Sequence, residues 1–65
     1  MSLTTKLREY RARDKLSQEE LAQKVGVRRE TIGNLENGRF SRSLKLAMDI
    51  ANVFGCTVEE LFQFH

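Results

Sequence analysis

The chain has 65 residues, 40% hydrophobic and 31% charged, with a net charge of +2, a single cysteine and a single histidine. So short a chain is expected to form one domain, residues 1–65, which buries only about 60% of its unfolded surface and therefore gains from self-association. Cys56 alone excludes an internal disulfide framework, the terminal His65 alone leaves no metal-ligand cluster, and no apolar run approaches the ~18 residues of a membrane span.

The amino terminus carries no apolar signal-peptide core, so a cytoplasmic protein is expected, without cofactor, metal or evident small-molecule substrate. Residues 4–13 read as a first helix, with Leu7 and Tyr10 inward, Arg8, Arg11 and Arg13 around the rim, and Asp14-Lys15 as the turn. Ser17 followed by Glu20 is a capping box and opens a second helix, whose Leu21, Ala22 and Val25 form one apolar stripe before Gly26 ends it. A third helix begins near Arg28, places Ile32 and Leu35 on one face and closes at Asn37-Gly38. Residues 17–38 thus read as helix, short turn, helix. The small Ala22 lets the two helices cross closely at roughly a right angle.

Ser43 caps a fourth helix with Leu44, Ala47, Ile50, Ala51 and Phe54 as its buried stripe, and Gly55 stops it. Thr57 with Glu60 is a second capping box, opening a short fifth helix through Leu61 and Phe62. The expected fold is all-α, five helices, with Leu7, Leu16, Leu21, Val25, Ile32, Leu35, Leu44, Ala47, Ile50, Val58 and Leu61 as its core.

With Ile32 and Leu35 inward, a turn of about 100° per residue puts Glu30, Gly33, Asn34 and Asn37 near the centre of the exposed face, with Arg29 and Thr31 at its margins. Those residue types suit DNA. Arginine grips O6 and N7 of guanine with two parallel bonds, and asparagine does the same to N6 and N7 of adenine, so Arg29 and Asn34 are the expected base readers. Glu30 has three readings: an acceptor for the cytosine amino group, a brace for Arg29, or favourable charge at a helix start. Gly33 costs roughly 1 kcal/mol relative to alanine inside a helix. Close approach of a DNA backbone would explain it, as would tolerated weakness. Charge is also polarised along the chain: Arg28, Arg29, Arg39, Arg42 and Lys45 outnumber Glu30 and Glu36, whereas residues 46–65 carry Asp49, Glu59 and Glu60 and no lysine or arginine. A basic side supplies phosphate contacts, and the acidic end is better turned away from DNA.

The segment SQEELAQKVGVRRETIGNLENG, continued by ENGRFSRSLKLAMDIANVFGCTVEELF, resembles the helix-turn-helix of the phage repressor and Cro class, the xenobiotic-response-element regulators, across roughly residues 5–62. The resemblance implies that Gln18 contacts a phosphate, that Asn37, Arg39 and Arg42 do so from the following loop, and that Arg28 and Thr31 reach phosphate or a thymine methyl. It also implies a structural ion pair between Arg11 and Glu36. Two positions depart from the pattern: Arg42 stands where proline is frequent, and Arg28 caps the third helix where serine or threonine is common.

One reading helix sees only a few base pairs, so a homodimer on half-sites about 34 Å apart is expected. Its surface is expected at the apolar carboxyl end, Leu61, Phe62 and Phe64. The ending Phe62-Gln63-Phe64 resembles that of the small cytolysin-type repressors, and pairing of this stretch as a short strand with residues near Leu3 is one expectation. Packing of both rings onto the protomer's own core is the alternative. The function so read is that of a sequence-specific double-stranded DNA-binding transcriptional regulator, a repressor on a palindromic operator, since no separate activation or sensing domain fits in 65 residues. The alternative is an antitoxin-like protein-interaction module that also binds its own promoter. An enzyme would need clustered carboxylates, a metal site or a nucleophile with its base. Glu19-Glu20 and Glu59-Glu60 are already explained by helix starts. Cys56, without a basic neighbour in sequence, reads as a small buried hydrophobe rather than a redox switch.

Overall fold

Both capping boxes form. Ser17 Oγ accepts the Glu20 amide at 3.0 Å while the Glu20 carboxylate accepts the Ser17 amide at 3.0 Å, and Thr57 and Glu60 repeat the exchange at 3.2 and 3.0 Å. Each such cap is worth about 1 kcal/mol. The computed structural model describes residues 3–39 and 44–64. In chain order the elements are β1 (Leu3–Thr5), α1 (Leu7–Asp14), α2 (Gln18–Val25), α3 (Arg29–Glu36), α4 (Leu44–Phe54), α5 (Val58–Leu61) and β2 (Phe62–Phe64).

The four longer helices end alike, on a left-handed residue whose successor donates its amide five residues back: Leu16 to Arg11, Val27 to Ala22, Arg39 to Asn34 and Cys56 to Ala51, at 2.9–3.0 Å. This satisfies carbonyls that a helix terminus otherwise leaves bare. The left-handed residue is glycine at α2, α3 and α4 but Lys15, at φ 57°, after α1.

Leu7, Leu21, Ala22, Ile32, Leu35, Leu46, Ile50, Ala51, Phe54, Leu61 and Phe62 make one buried cluster, with Tyr10, Leu16, Val25, Ala47, Cys56 and Val58 packed at its margin. α2 and α3 pack together, and α4 covers α2 from behind. Arg13 ties the ends of α1 and α4: its guanidinium lies 4.8 Å from the Tyr10 ring centre and donates at 2.9 Å to the Phe54 carbonyl, and the Tyr10 and Phe54 rings lie 5.6 Å apart.

Four expectations change. Thr4 and Thr5 do not start the first helix but belong to a strand with Leu3, antiparallel to β2 with Leu3 opposite Phe64, Thr4 opposite Gln63 and Thr5 opposite Phe62, which is the pairing near Leu3 expected for the carboxyl-terminal stretch. Two adjacent β-branched threonines suit a strand better than a helix start. Phe62, an aromatic residue that also suits a strand, leaves α5 at φ −126° and ψ 127°. Leu44 is 71% exposed, and Leu46 takes its place in the core. The two leucines lie about 200° apart around the helix, so only one can join the inward stripe with Ile50 and Phe54. Finally, Leu61 is fully enclosed, as its place in the expected core has it, and Phe62 is 8% exposed, as the alternative of ring packing within the protomer has it, so these two side chains belong to the protomer's own core rather than to a surface for a second copy. The expected cap at Ser43 and the expected phosphate contact at Arg42 lie outside the described residues, as does the side chain of Phe64.

Candidate nucleic-acid interface

α3 is fastened from behind and open in front. Behind it, Ile32 and Leu35 are buried, and Glu36 turns its carboxylate into the scaffold with 1% of its side chain exposed. Arg11 of α1 forks onto that carboxylate, Nε to Oε2 at 2.6 Å and Nη2 to Oε1 at 3.2 Å, while its Nη1 donates to the Leu16 carbonyl at 2.9 Å. Gln18, the first residue of α2, donates its side-chain amide to Glu36 Oε1 at 3.0 Å, and Arg8 stands 3.6 Å from the same oxygen. Burial pushes the Glu36 carboxyl up, but the hydrogen bonds from Arg11 and Gln18 and the nearby guanidinium charges outweigh it and hold the group below the ordinary carboxylate range. One carboxylate thereby locks the last turn of α3 to both α1 and α2.

In front, Arg28, Arg29, Glu30 and Asn34 are exposed and Thr31 half-buried, with Asn37 and Arg39 exposed just beyond the helix. Among the described residues, the side chains of Arg29, Glu30 and Asn34 make no hydrogen bond or ion pair within the protomer. Glu30 therefore does not brace Arg29 in the free protein. Arg28 caps α3 without a side-chain bond, as its departure from serine or threonine implies. The first amides of the helix consequently stay open to an acceptor from outside.

The side chain of Gln18 is partly engaged within the protomer. One of its two amide hydrogens is committed to Glu36, which leaves the other for a phosphate. A Cβ at Gly33 would meet only Gln18 Nε2, at 3.8 Å, an ordinary contact, so nothing within the protomer demands glycine there. Gly38 is the opposite case. It closes α3 at φ 81°, and a Cβ on it would stand 2.7 Å from the Leu3 carbonyl oxygen of β1. The amino-terminal strand thus lies directly against the turn that follows α3.

Sequence reasoning placed Arg8 on the rim of the first helix but missed its approach to Glu36, although its place one turn before Arg11 on α1 was a usable signal. It also missed the contact of β1 with Gly38, for which no local signal exists. Cys56 is half-buried, and burial, with the Glu60 charge, pushes its thiol up despite Tyr10 and Arg13 nearby. A raised thiol is a poor nucleophile.

Two short helices joined by a tight turn, the second presenting an unpaired polar ridge on a buttressed frame, define a helix-turn-helix DNA-binding unit. The helix-turn-helix family matches residues 7–61, and the chain belongs to that family, in its Cro/C1-type form. An uncharacterized HTH-type transcriptional regulator of Archaeoglobus fulgidus is 55% identical over 62 residues, spanning 95% of this chain and 89% of the relative. Another, from Methanocaldococcus jannaschii, is 48% identical over 60 residues, spanning 92% and 91%. Among solved structures, the restriction-modification controller protein C.AhdI of Aeromonas hydrophila superimposes with a TM-score of 0.74 at 34% identity, covering 85% of this chain and 83% of that one. The clp gene regulator ClgR of Corynebacterium glutamicum gives 0.73 at 30% identity, covering 83% and 57%. The protein is a transcriptional regulator with a helix-turn-helix DNA-binding domain, of a family that binds DNA and is not enzymatic. No helix among the described residues is long and apolar enough to cross a membrane.

Proposed function

We propose that the chain acts as a sequence-specific repressor, working as a single helix-turn-helix unit in the cytoplasm and binding a palindromic operator in double-stranded DNA as a homodimer. The observation that carries this is the outward, unpaired ridge of Arg29, Glu30 and Asn34 on a helix immobilised through Glu36. A backbone frame already fixed leaves only side-chain rotamers to be ordered on binding, so less of the discrimination of one base from another is lost to ordering. Arg29 takes guanine and Asn34 adenine. Glu30 accepts from cytosine. Arg28, Thr31, Asn37, Arg39, Arg42 and the free amide hydrogen of Gln18 hold the phosphates on either side, fixing register rather than sequence. Occupation of the operator then excludes other proteins from the same stretch of duplex.

The test is selection of bound fragments from random-sequence duplex DNA at two salt concentrations. A palindromic consensus that survives the higher salt, with half-site centres about one helical turn apart, is the expected result. Equal capture of all sequences would reduce the protein to a nonspecific DNA coat and overturn the proposal.

A further inference from the structure

The solvent side of α4 carries an apolar pair. Leu44 and Met48, one turn apart, are 71% and 52% exposed, and they are the large hydrophobic side chains that the described residues leave in water. Lys45 and Asp49 follow each of them by one residue, about 100° around the helix, so an apolar stripe lies beside a charged one. Lys45 Nζ reaches Asp49 Oδ2 at 2.7 Å, an exposed pair of little intrinsic worth whose members are free to exchange partners. The opposite arc, Leu46, Ile50, Ala51 and Phe54, is buried in the protomer.

This pattern complements itself in one orientation. When two copies of α4 lie antiparallel about a twofold axis, Leu44 meets the partner's Met48 and Lys45 lies beside the partner's Asp49, and the symmetry repeats each contact. A parallel twofold arrangement puts the two charged stripes on opposite sides of the seam, where Lys45 and Asp49 find no partner across the axis. We propose that the Leu44, Lys45, Met48 and Asp49 face of α4 is the surface on which a second copy of this chain docks, antiparallel across a twofold axis. The inference rests on the homodimer proposed above and gives it a surface in place of the carboxyl end, where Leu61 and Phe62 are enclosed.

Sedimentation equilibrium without DNA tests it, on the wild type, K45D, D49K, an equimolar mixture of those two variants, and M48E, each first checked for helical content. All three substitutions fall on the exposed arc. The wild type is expected to dimerise. K45D and D49K alone should each self-associate at least roughly tenfold more weakly, because like charges then meet across the axis, and M48E should weaken similarly. Mixing K45D with D49K should restore the dimer, since an all-acidic face meets an all-basic one. Loss of the bond within a single protomer cannot be repaired by mixing. A wild type that stays monomeric at roughly 100 μM, including one whose α4 face is covered only by a different protein, overturns the proposal, as does a mixture no tighter than its components. The same samples are titrated with random-sequence duplex. Folded monomers that still bind it with strong salt dependence retain the DNA-reading function and remove only the α4 interface. A wild-type dimer that ignores duplex does the reverse.

Discussion

Arg11 grips Glu36 across 25 residues of sequence, with Nε on one carboxylate oxygen at 2.6 Å and Nη2 on the other at 3.2 Å, and so couples the first helix to the last turn of α3, the second helix of the helix-turn-helix. Because the Glu36 side chain is buried, reversal of its charge leaves Arg11 facing another cation in a poorly solvated site. Glu36→Lys is expected to cost about 3 kcal/mol, or more than about 10 °C in melting temperature for a domain of this size. A melt unchanged from the wild type would remove the scaffold role of the pair.

The same carboxylate predicts acid sensitivity. Its folded pKa lies below the ordinary value of about 4.3, so its stabilisation is complete above that pH and is lost as pH falls through the folded value. Glu20 and Glu60, lowered by their capping bonds, act in the same direction. Melting temperature should therefore fall below about pH 4.3, and Glu36→Gln, less stable at neutral pH, should show a shallower acid decline. Parallel profiles for the two proteins would show that Glu36 does not contribute to the linkage.

Gly26 and Gly38 separate two reasons for glycine. Both have positive φ, but a Cβ at Gly26 meets open space while one at Gly38 meets the Leu3 carbonyl. Gly26→Ala should cost about 1 kcal/mol from the left-handed backbone alone, and Gly38→Ala clearly more, about 2 kcal/mol or above. Lys15→Gly, at a left-handed position held by a residue with a Cβ, should stabilise by about 0.5–1 kcal/mol. Denaturant titrations rank the three.

Gly33→Ala is expected to raise the melting temperature, since the helix gains roughly 1 kcal/mol of propensity and the protomer offers no clash. Duplex affinity should nevertheless fall if the proposed reading face is right, because the added methyl stands on it. Electrophoretic mobility shifts beside thermal melts distinguish a groove-facing glycine from one that is merely tolerated. The second is indicated if affinity holds while stability rises.

Base reading and phosphate clamping should separate by salt. Arg29→Ala or Asn34→Ala should cost about 1–3 kcal/mol on the selected consensus and relax preference at one position, whereas Arg39→Ala should weaken all sequences alike and lower the salt slope by about 1. Fluorescence anisotropy titrations at several salt concentrations read both quantities.

How much was legible in the residues varies with the range of the forces. Ser17 with Glu20, Thr57 with Glu60, and the glycines at 26, 38 and 55 act on amides and carbonyls within six positions, so helix starts and ends follow from the chain itself. Outward placement of Arg29, Glu30 and Asn34 follows from Ile32 and Leu35 by helical period alone. The ribbon of Leu3–Thr5 with Phe62–Phe64 is expected from the resemblance of its ending to the cytolysin-type repressors, but it does not follow from local forces, because each strand is too short to persist without its partner and the two are separated by the whole bundle. Nor does the choice between Leu44 and Leu46. Both are leucines at the start of one helix, and only the position of α2 beneath α4 decides which is buried. Local hydrogen bonding and periodicity are written residue by residue, whereas burial is a property of the assembled surfaces, and at Phe62 the assembled core claimed a side chain that the sequence reading assigns to a second copy.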